Sequence, residues 1–463
     1  MSKTTQKNLF YGSLMDMLDT NDPLIQLADI FPWSKFETEF KKYYTGEGRP
    51  PKPIRLMVGI LLLKQLKNLS DESIIEHWKQ NPYFQYFCGL NDYQASVPCH
   101  PTELVKFRNR IGKKGMEFIF KMSVQLHGEA SEEEQVIVDS TVQESNITFP
   151  TDGKLAIKII IHLLRIAKRE NIKLRRSFKK ETKQLRILLR FFRHPRKIKK
   201  AMGAMKRLRE IAKIILRDID RKFEDNLELH EKYAESFYLY MRVLSQEKNT
   251  PNKIYSLHEL DAYAINKGKD HKGYEFGTKA SIVTTKTTGI IVGVSAHQTN
   301  IHDSKTLPAV LGNATSNRNT PIAEAICDRG YRGTKEVIIN NYTTTISIPG
   351  TVLKKDTQKE KDIKREKFKR RAAIEPIIGH MKSDYRMARN YLKGFIGDEI
   401  NLLLAASAFN LKKWMNIYFY AVFTRDISLV LRAIAQIQKL SFLLHCLFEL
   451  KKFYASENWI SSE

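Results

Sequence analysis

Apolar residues recur at steps of three and four in the first part of the chain, the spacing of a helix face, and predict a run of helices there. One spans Pro53 to Lys67, a second opens after Ser70 as N-cap and closes at Asn81-Pro82, and two more cover Pro101 to Ile111 and Lys114 to Leu126. The pattern then changes. Val136-Ile137-Val138 is a continuous apolar run ending in Asp139-Ser140-Thr141, and Ala325-Ile326-Cys327 is another ending in Asp328-Arg329-Gly330-Tyr331; both read as buried strands with a carboxylate at the end. Lys279 to Val283 and Gly289 to Ser295 read as a hairpin turning near Thr287-Thr288-Gly289, and Ser304 to Leu311 as a helix. Helical spacing returns between the first strand and the hairpin: Leu155, Ile159, Leu163 and Ile166, then Leu185, Leu188 and Phe192, with His194-Pro195 as a break and further helices over Lys199–Asn226 and Leu227–Ser245. Beyond residue 393 the chain reads as helical again, with 398–415 and 426–452 as candidates.

This order predicts an α/β core interrupted after its first strand by a helical insertion, because about 140 residues separate Asp139 from the next strand at Lys279 against ~2–5 for a hairpin loop. The expected division is a helical N-terminal region over 1–130, a core over 131–150 and 255–415, an insertion over 151–254, and a helical C-terminal extension over 416–463.

Charge sharpens the picture. The 463 residues hold 77 Lys+Arg against 51 Asp+Glu, a formal charge of +26. Residues 151–210 alone carry 21 basic residues, among them Arg175, Arg176, Lys179 and Lys180, against four acids. A net of +17 over sixty residues repels itself unless it meets an anion, which points to nucleic acid. The short helices of the N-terminal region, with Lys106, Arg108, Arg110 and Lys113 as a basic edge, suit helix-turn-helix reading of DNA. A hydrophobic content of 42% excludes a disordered chain. Four scattered cysteines exclude a disulfide framework, and the absence of a C-x-x-C pair argues against zinc. Neither a secretory leader nor an 18-residue apolar stretch is present, so the expected location is cytoplasmic with no membrane partner, associated with the nucleoid when bound to DNA. No phosphate-binding glycine motif appears, so no nucleotide cofactor is expected.

The two strand-end carboxylates, Asp139 and Asp328, are expected to face one another at the carboxyl ends of adjacent strands, where sites form in open α/β sheets. A third acid comes from a helix: Phe368, Arg371, Glu375 and Lys382 stand at steps of three, four and seven, close to one face. Clustered carboxylates repel unless a divalent cation neutralises them. Hard oxygen ligands suit Mg²⁺ or Mn²⁺, and two such ions ~3.5–4 Å apart can serve an in-line phosphoryl displacement.

With these residues in view, the sequence resembles bacterial insertion-sequence transposases of the DDE class, in the insertion-sequence-five family and its close relatives. The resemblance runs through Asp139-Ser140-Thr141, Asp328-Arg329-Gly330-Tyr331 and Arg371-Ala372-Ala373-Ile374-Glu375 to Lys382. The family signature Y-(2)-R-(3)-E-(6)-K reads here Phe368-(2)-Arg371-(3)-Glu375-(6)-Lys382, with one aromatic residue replacing another. The resemblance implies an RNase H-like core in which Asp139, Asp328 and Glu375 hold metal and Arg371 and Lys382 position DNA. It also implies cleavage at the ends of the element, transfer of the freed 3′-hydroxyl into target DNA, terminal inverted repeats and target DNA as partners, and a homodimer. Phe368 and Tyr331 are candidates for stacking on a base, Tyr331 equally for packing. Asp303 is a rival second acid but reads as a helix N-cap, and Glu399 rivals Glu375 without its basic flanks. Pro376 is expected to kink the helix that carries Glu375, and His380 reads as a surface residue rather than a proton shuttle. Two other classes stay open: an inactive DNA-binding remnant acting as a repressor, and an RNase H-like nuclease that cuts without joining.

Overall fold

The computed structural model describes residues 13–44, 50–224, 226–266, 273–350 and 356–422, with the side chains of residues 367 and 368 left out. The candidate helix over 426–452 and most of the expected C-terminal extension lie outside the described residues.

The chain divides into two compact units, one built on residues up to Ile111 together with the segment from Ser407, the other on Gly112–Ala406. The first unit contains α1 (Leu14–Met17), α2 (Pro23–Ile30), α3 (Trp33–Lys41), α4 (Ile54–Leu66), α5 (Asp71–Gln80), α6 (Pro82–Phe87) and the start of α7 (Pro101–Gln125). Its caps follow the sequence: Ser70 accepts the Ser73 N–H and Asn81 accepts the Phe84 N–H. Trp33, Phe36, Phe40, Trp78 and Phe87 fill the core. One residue of the expected basic edge is not on it. Arg108 is buried and makes a bidentate pair with Asp71 at 2.9 and 2.6 Å, with Lys64 on the same carboxylate at 2.8 Å. Two cations oppose the effect of burial and hold the Asp71 carboxyl below its usual range. α7 breaks at Gly112, whose φ of 56° lies in the left-handed region that a residue without Cβ enters at no cost, so the span holds the two helices read from the sequence, parted at this glycine.

The second unit is built on a mixed sheet. β1 (Gln135–Ser145) leads into four helices, α8 (Asp152–Arg169), α9 (Lys179–Leu188), α10 (Ile198–Phe223) and α11 (Leu227–Ser245). β2 (Tyr263–Ile265), β3 (Glu275–Thr285), β4 (Ile291–His297), α12 (Leu307–Ser316), β5 (Glu324–Ile326), β6 (Glu336–Ile339) and β7 (Tyr342–Ser347) follow. α13 (Gln358–Ala372), α14 (Ile374–Ser383), β8 (Arg389–Asn390) and, up to Ala406, a helix over 394–422 complete it. The strand order is β2-β3-β1-β5-β7-β6, with β4 also on β3 and β8 also on β1.

β1 runs through Asp139 instead of ending there. It pairs antiparallel with β3 from Val136↔Thr285 to Glu144↔Gly277, so the polar run Asp139-Ser140-Thr141 continues the strand. The backbone hydrogen bonds of this long pairing override the polar side chains that read as a turn.

The four helices between β1 and β2 share one core. Leu155, Ile159 and Leu163 of α8 pack with Leu208, Ile211 and Ile215 of α10 and Tyr233, Phe237 and Tyr240 of α11. Asp152, at the start of this excursion, closes it. Its carboxylate takes Lys253 at 3.0 Å, from the returning chain, and Arg209 at 2.9 Å, while Arg209 also donates to the Gln246 carbonyl at 2.8 Å.

Candidate active site

β1 and β5 are parallel neighbours paired from Gln135↔Glu324 to Ile137↔Ile326, and Asp139 and Asp328 each stand two residues beyond the last of these pairs. Neighbouring strands lie about 4.8 Å apart, so the two aspartates follow from adjacent backbones. β1 pairs with β5 only over Gln135–Ile137 and with β8 only at Glu144–Ser145. Among the described strands, none covers the edge of β1 from 138 to 143, and Asp139 stands in that opening. The position is the crevice beyond the carboxyl end of a parallel strand where α/β sheets build sites.

Local hydrogen bonds aim both groups. Asp139 Oδ1 accepts the N–H of Ser140 at 2.7 Å, and Asp328 caps the 3₁₀ turn Arg329–Tyr331 by accepting the Gly330 N–H at 2.8 Å. Both aspartates are half-buried.

The sequence reading gave Asp303 a capping role, which the structure corrects. The cap of the 3₁₀ turn Asp303–Thr306 is His302, whose Nδ1 accepts the Ser304 N–H, and Asp303 turns toward the two aspartates. Its Oδ1 accepts from Ser140 Oγ at 2.9 Å and from Lys279 Nζ at 3.1 Å. A Cβ placed on Gly330 would lie 3.0 Å from Asp328 Oδ1 and 3.1 Å from Asp303 Oδ2, so both carboxylates close over this glycine. Lys279 is buried and also donates to the Ile301 carbonyl at 2.6 Å. Beside it, His297 Nε2 is 2.9 Å from Ser281 Oγ; burial, then the Lys279 charge, push the imidazole down to about 4 and keep it neutral. Sequence offered little signal for Lys279, a lysine inside a strand, whereas Asp303 was already set beside the two aspartates as a rival second acid.

Tyr331 is fully buried, the packing alternative of the two read from the sequence, and does not stand against a base: no ring face reaches the surface. Burial first, then the neighbouring Asp303 and Asp139 carboxylates, push its hydroxyl well above the usual range, so it stays protonated.

Glu375 is brought near the sheet but not into the aspartate pair. The helix expected to carry Phe368 to Lys382 with a kink at Pro376 is two helices, α13 and α14, separated at Ala373. Pro376 explains the break: it is the third residue of α14, within the first turn, where its missing N–H is tolerated. α14 packs on β1 through the buried Ile374 and Met381. Glu375 is exposed and takes Arg371 Nη2 at 2.8 Å across the break. Lys382 is half-buried, and the side chain of Phe368 lies outside the described residues. The rival Glu399 pairs with Lys113 at 2.7 Å, and His380 with Asp384 at 2.8 Å on the surface. Arg175 and Arg176, between α8 and α9, and Lys179 and Lys180, at the start of α9, are exposed.

Comparison with known proteins assigns this arrangement to a family. Residues 12–110 match a family described as Transposase domain (DUF772), and residues 246–411 match one described as Transposase DDE domain. The chain is 37% identical over 196 residues to the uncharacterized protein ORF8 in the nfe locus of Rhizobium meliloti, covering 41% of this chain and 95% of that relative. The chain belongs to the DDE transposases. No solved structure matches it. Asp328 and Glu375 of the transposase fall within the matched DDE segment, whereas Asp139 and all of α8–α11 fall in neither matched segment.

The family implies a divalent metal. Asp139 and Asp328 fit one, as hard oxygen donors on neighbouring chain segments. Among the described residues no group of three acids, histidines or cysteines is gathered closely enough to hold an ion. Also among the described residues, no helix is long and apolar enough to cross a membrane.

Proposed function

We propose that this DDE transposase cuts DNA at the ends of an insertion element and joins the freed 3′-hydroxyl to target DNA, using an RNase H-like core in which Asp139, Asp328 and Glu375 are the metal ligands. The observation that supports the reading is that Asp139 and Asp328 each follow the last β1–β5 pair by two residues, at the open edge of β1, with the Glu375 helix packed on the same strand. Magnesium or manganese, as two ions, would supply Lewis acidity at the scissile phosphate and lower the pKa of the attacking hydroxyl. The chain's own task is to hold the two aspartates level, keep Asp303 and Lys279 behind them as a charge-balanced support, and release Glu375 from Arg371. Arg371 is then available for the DNA strand, beside Lys382 and Phe368. Both steps are in-line exchanges at phosphorus, so neither requires nucleotide hydrolysis. The basic surface at Arg175, Arg176, Lys179 and Lys180 is assigned to the DNA backbone. The active form is a homodimer holding two DNA ends, on the nucleoid, and the insertion-sequence-five family is the affiliation that the spacing around Glu375 favours.

The test is cleavage and strand transfer on labelled duplexes carrying the sequences that flank the reading frame, with Mg²⁺ or Mn²⁺. Wild type is expected to release and join 3′-hydroxyl ends, and Glu375→Gln to bind the same DNA without cutting it. Binding without cleavage by both proteins would instead identify an inactive, repressor-like remnant, a reading favoured by the Arg371–Glu375 pair. Cleavage that survives the substitution would remove Glu375 from the ligand set.

A further inference from the structure

The helical insertion contains a concavity that the catalytic reading does not use. It measures about 310 Å³ and lies between α10 and the chain leading into α9. Arg175, Arg176, Arg217 and Arg221 line it over a floor that includes Phe178 and Ile215. One acid, Asp218, stands among them, and it is already taken up by the Arg175 N–H at 3.1 Å and by Lys222 at 3.3 Å. Among the described residues no carboxylate comes within ion-pair distance of any of the four guanidinium groups. Four exposed cations around one concavity repel each other unless an anion sits between them.

The floor holds two of these groups in place. Phe178 is buried with φ of 50° and ψ of 18°, a left-handed conformation that is rare for a bulky side chain and that persists where the surroundings impose it. Its ring lies 4.7 Å from the Arg176 guanidinium carbon, which stacks over it, and Arg217 Nε donates to the Lys213 carbonyl at 3.3 Å. Guanidinium groups ordered in this way present planar forks suited to phosphate oxygens.

We propose that this pocket is a phosphate subsite for the DNA backbone, holding a stretch of the duplex on the insertion while its end occupies the aspartate site. The proposal rests on the transposase reading for its partner and adds Arg217 and Arg221 to the residues that touch DNA. A backbone phosphate is favoured over a small anion because the pocket opens onto a continuous exposed basic run, including Lys173, Lys179, Lys180, Lys183 and Arg186, that an extended polyanion can follow.

The experiment compares full-length wild type, Arg217→Ala/Arg221→Ala and Arg217→Lys/Arg221→Lys by fluorescence anisotropy on a labelled 30-base-pair duplex across a salt series. Both arginines are exposed, and circular dichroism checks that the helices persist. The double alanine variant is expected to bind at least about tenfold more weakly, with a salt slope shallower by about one to two, one phosphate contact counting for ~0.9. The double lysine variant is expected to regain most of the slope. Unchanged affinity and slope in the alanine variant, while wild type cuts and joins DNA, would overturn the subsite and leave the transposase reading standing. Wild type that neither binds nor cuts DNA would overturn both. Calorimetry with inorganic phosphate separates the remaining source: phosphate binding lost in the alanine variant with DNA affinity intact would overturn the DNA assignment in favour of a free-anion site.

Discussion

Single residues set the tolerances of the site. Gly330 is the narrowest point, since any side chain there meets Asp328 Oδ1 and Asp303 Oδ2 at about the limit of contact. Gly330→Ala is expected to leave the denaturation midpoint nearly unchanged while lowering strand transfer by about a hundredfold, the scale of a catalytic group displaced by an ångström. Equal strand transfer in the two proteins would show that Asp328 tolerates the shift. The aspartates were legible in the sequence because each follows a short apolar run, but their supports were not. Asp303 lies 163 residues from the Ser140 hydroxyl it accepts, and that partnership exists only once the sheet has formed.

At the scale of elements, helices with a single apolar face were read well, as in α10 and α11, because a repeat near 3.6 residues survives any tertiary context. β6 and β7 went unread: they are short, and Thr343, Thr344 and Thr345 with exposed Tyr342 and Ile338 do not alternate cleanly between apolar and polar. The end of β1 was misplaced because a strand buried on both faces can carry serine, threonine and glutamine when its neighbours satisfy them. Gln143 is such a case. Its amide donates to the Asp398 carbonyl at 3.0 Å and its oxygen accepts from Asn401 at 2.9 Å, tying β1 to the helix over 394–422, while Asn390 of β8 donates to Asp398 Oδ1 at 2.7 Å.

Asp398 titrates with this junction. Burial pushes its carboxyl up to about 6, against the opposing effect of Asn390 and Gln143. A carboxyl whose pKa is raised on folding stabilises the fold most when protonated, and that contribution is lost as pH rises from the unfolded value through about 6. Ionised Asp398 therefore costs about 3 kcal/mol at neutral pH relative to a neutral isostere. Asp398→Asn is expected to be the more stable protein at pH 7.5, with the difference shrinking between pH 6 and pH 4 in chemical denaturation. A difference independent of pH would show that the carboxyl ionises in the fold as it does in the unfolded chain.

At the scale of the whole molecule, the charge and the candidate site are carried by different parts of one unit. The segment 151–210 supplies +17 of the +26, on helices bound into the chain between β1 and β2, whereas the aspartates sit at the sheet. DNA affinity and phosphodiester chemistry are thus open to separate substitution. The clasp at Asp152 has a kinetic counterpart. β1 cannot zip onto β3 until residues about 140 apart in sequence meet, and closing a loop of that length costs about 2 kcal/mol more than closing one of ten. Contacts within the four-helix excursion are local by comparison and form early. Once its core and the Asp152–Lys253 pair are made, the two ends of the excursion are already together, and the sheet sees a short connection. Refolding is expected in two phases, helical signal first and sheet second. Leu208→Ala, which removes about 2–5 kcal/mol from the excursion's core, is expected to slow the second phase although Leu208 belongs to no strand. A second phase with unchanged rate would mean that β1 and β3 find each other across an open loop.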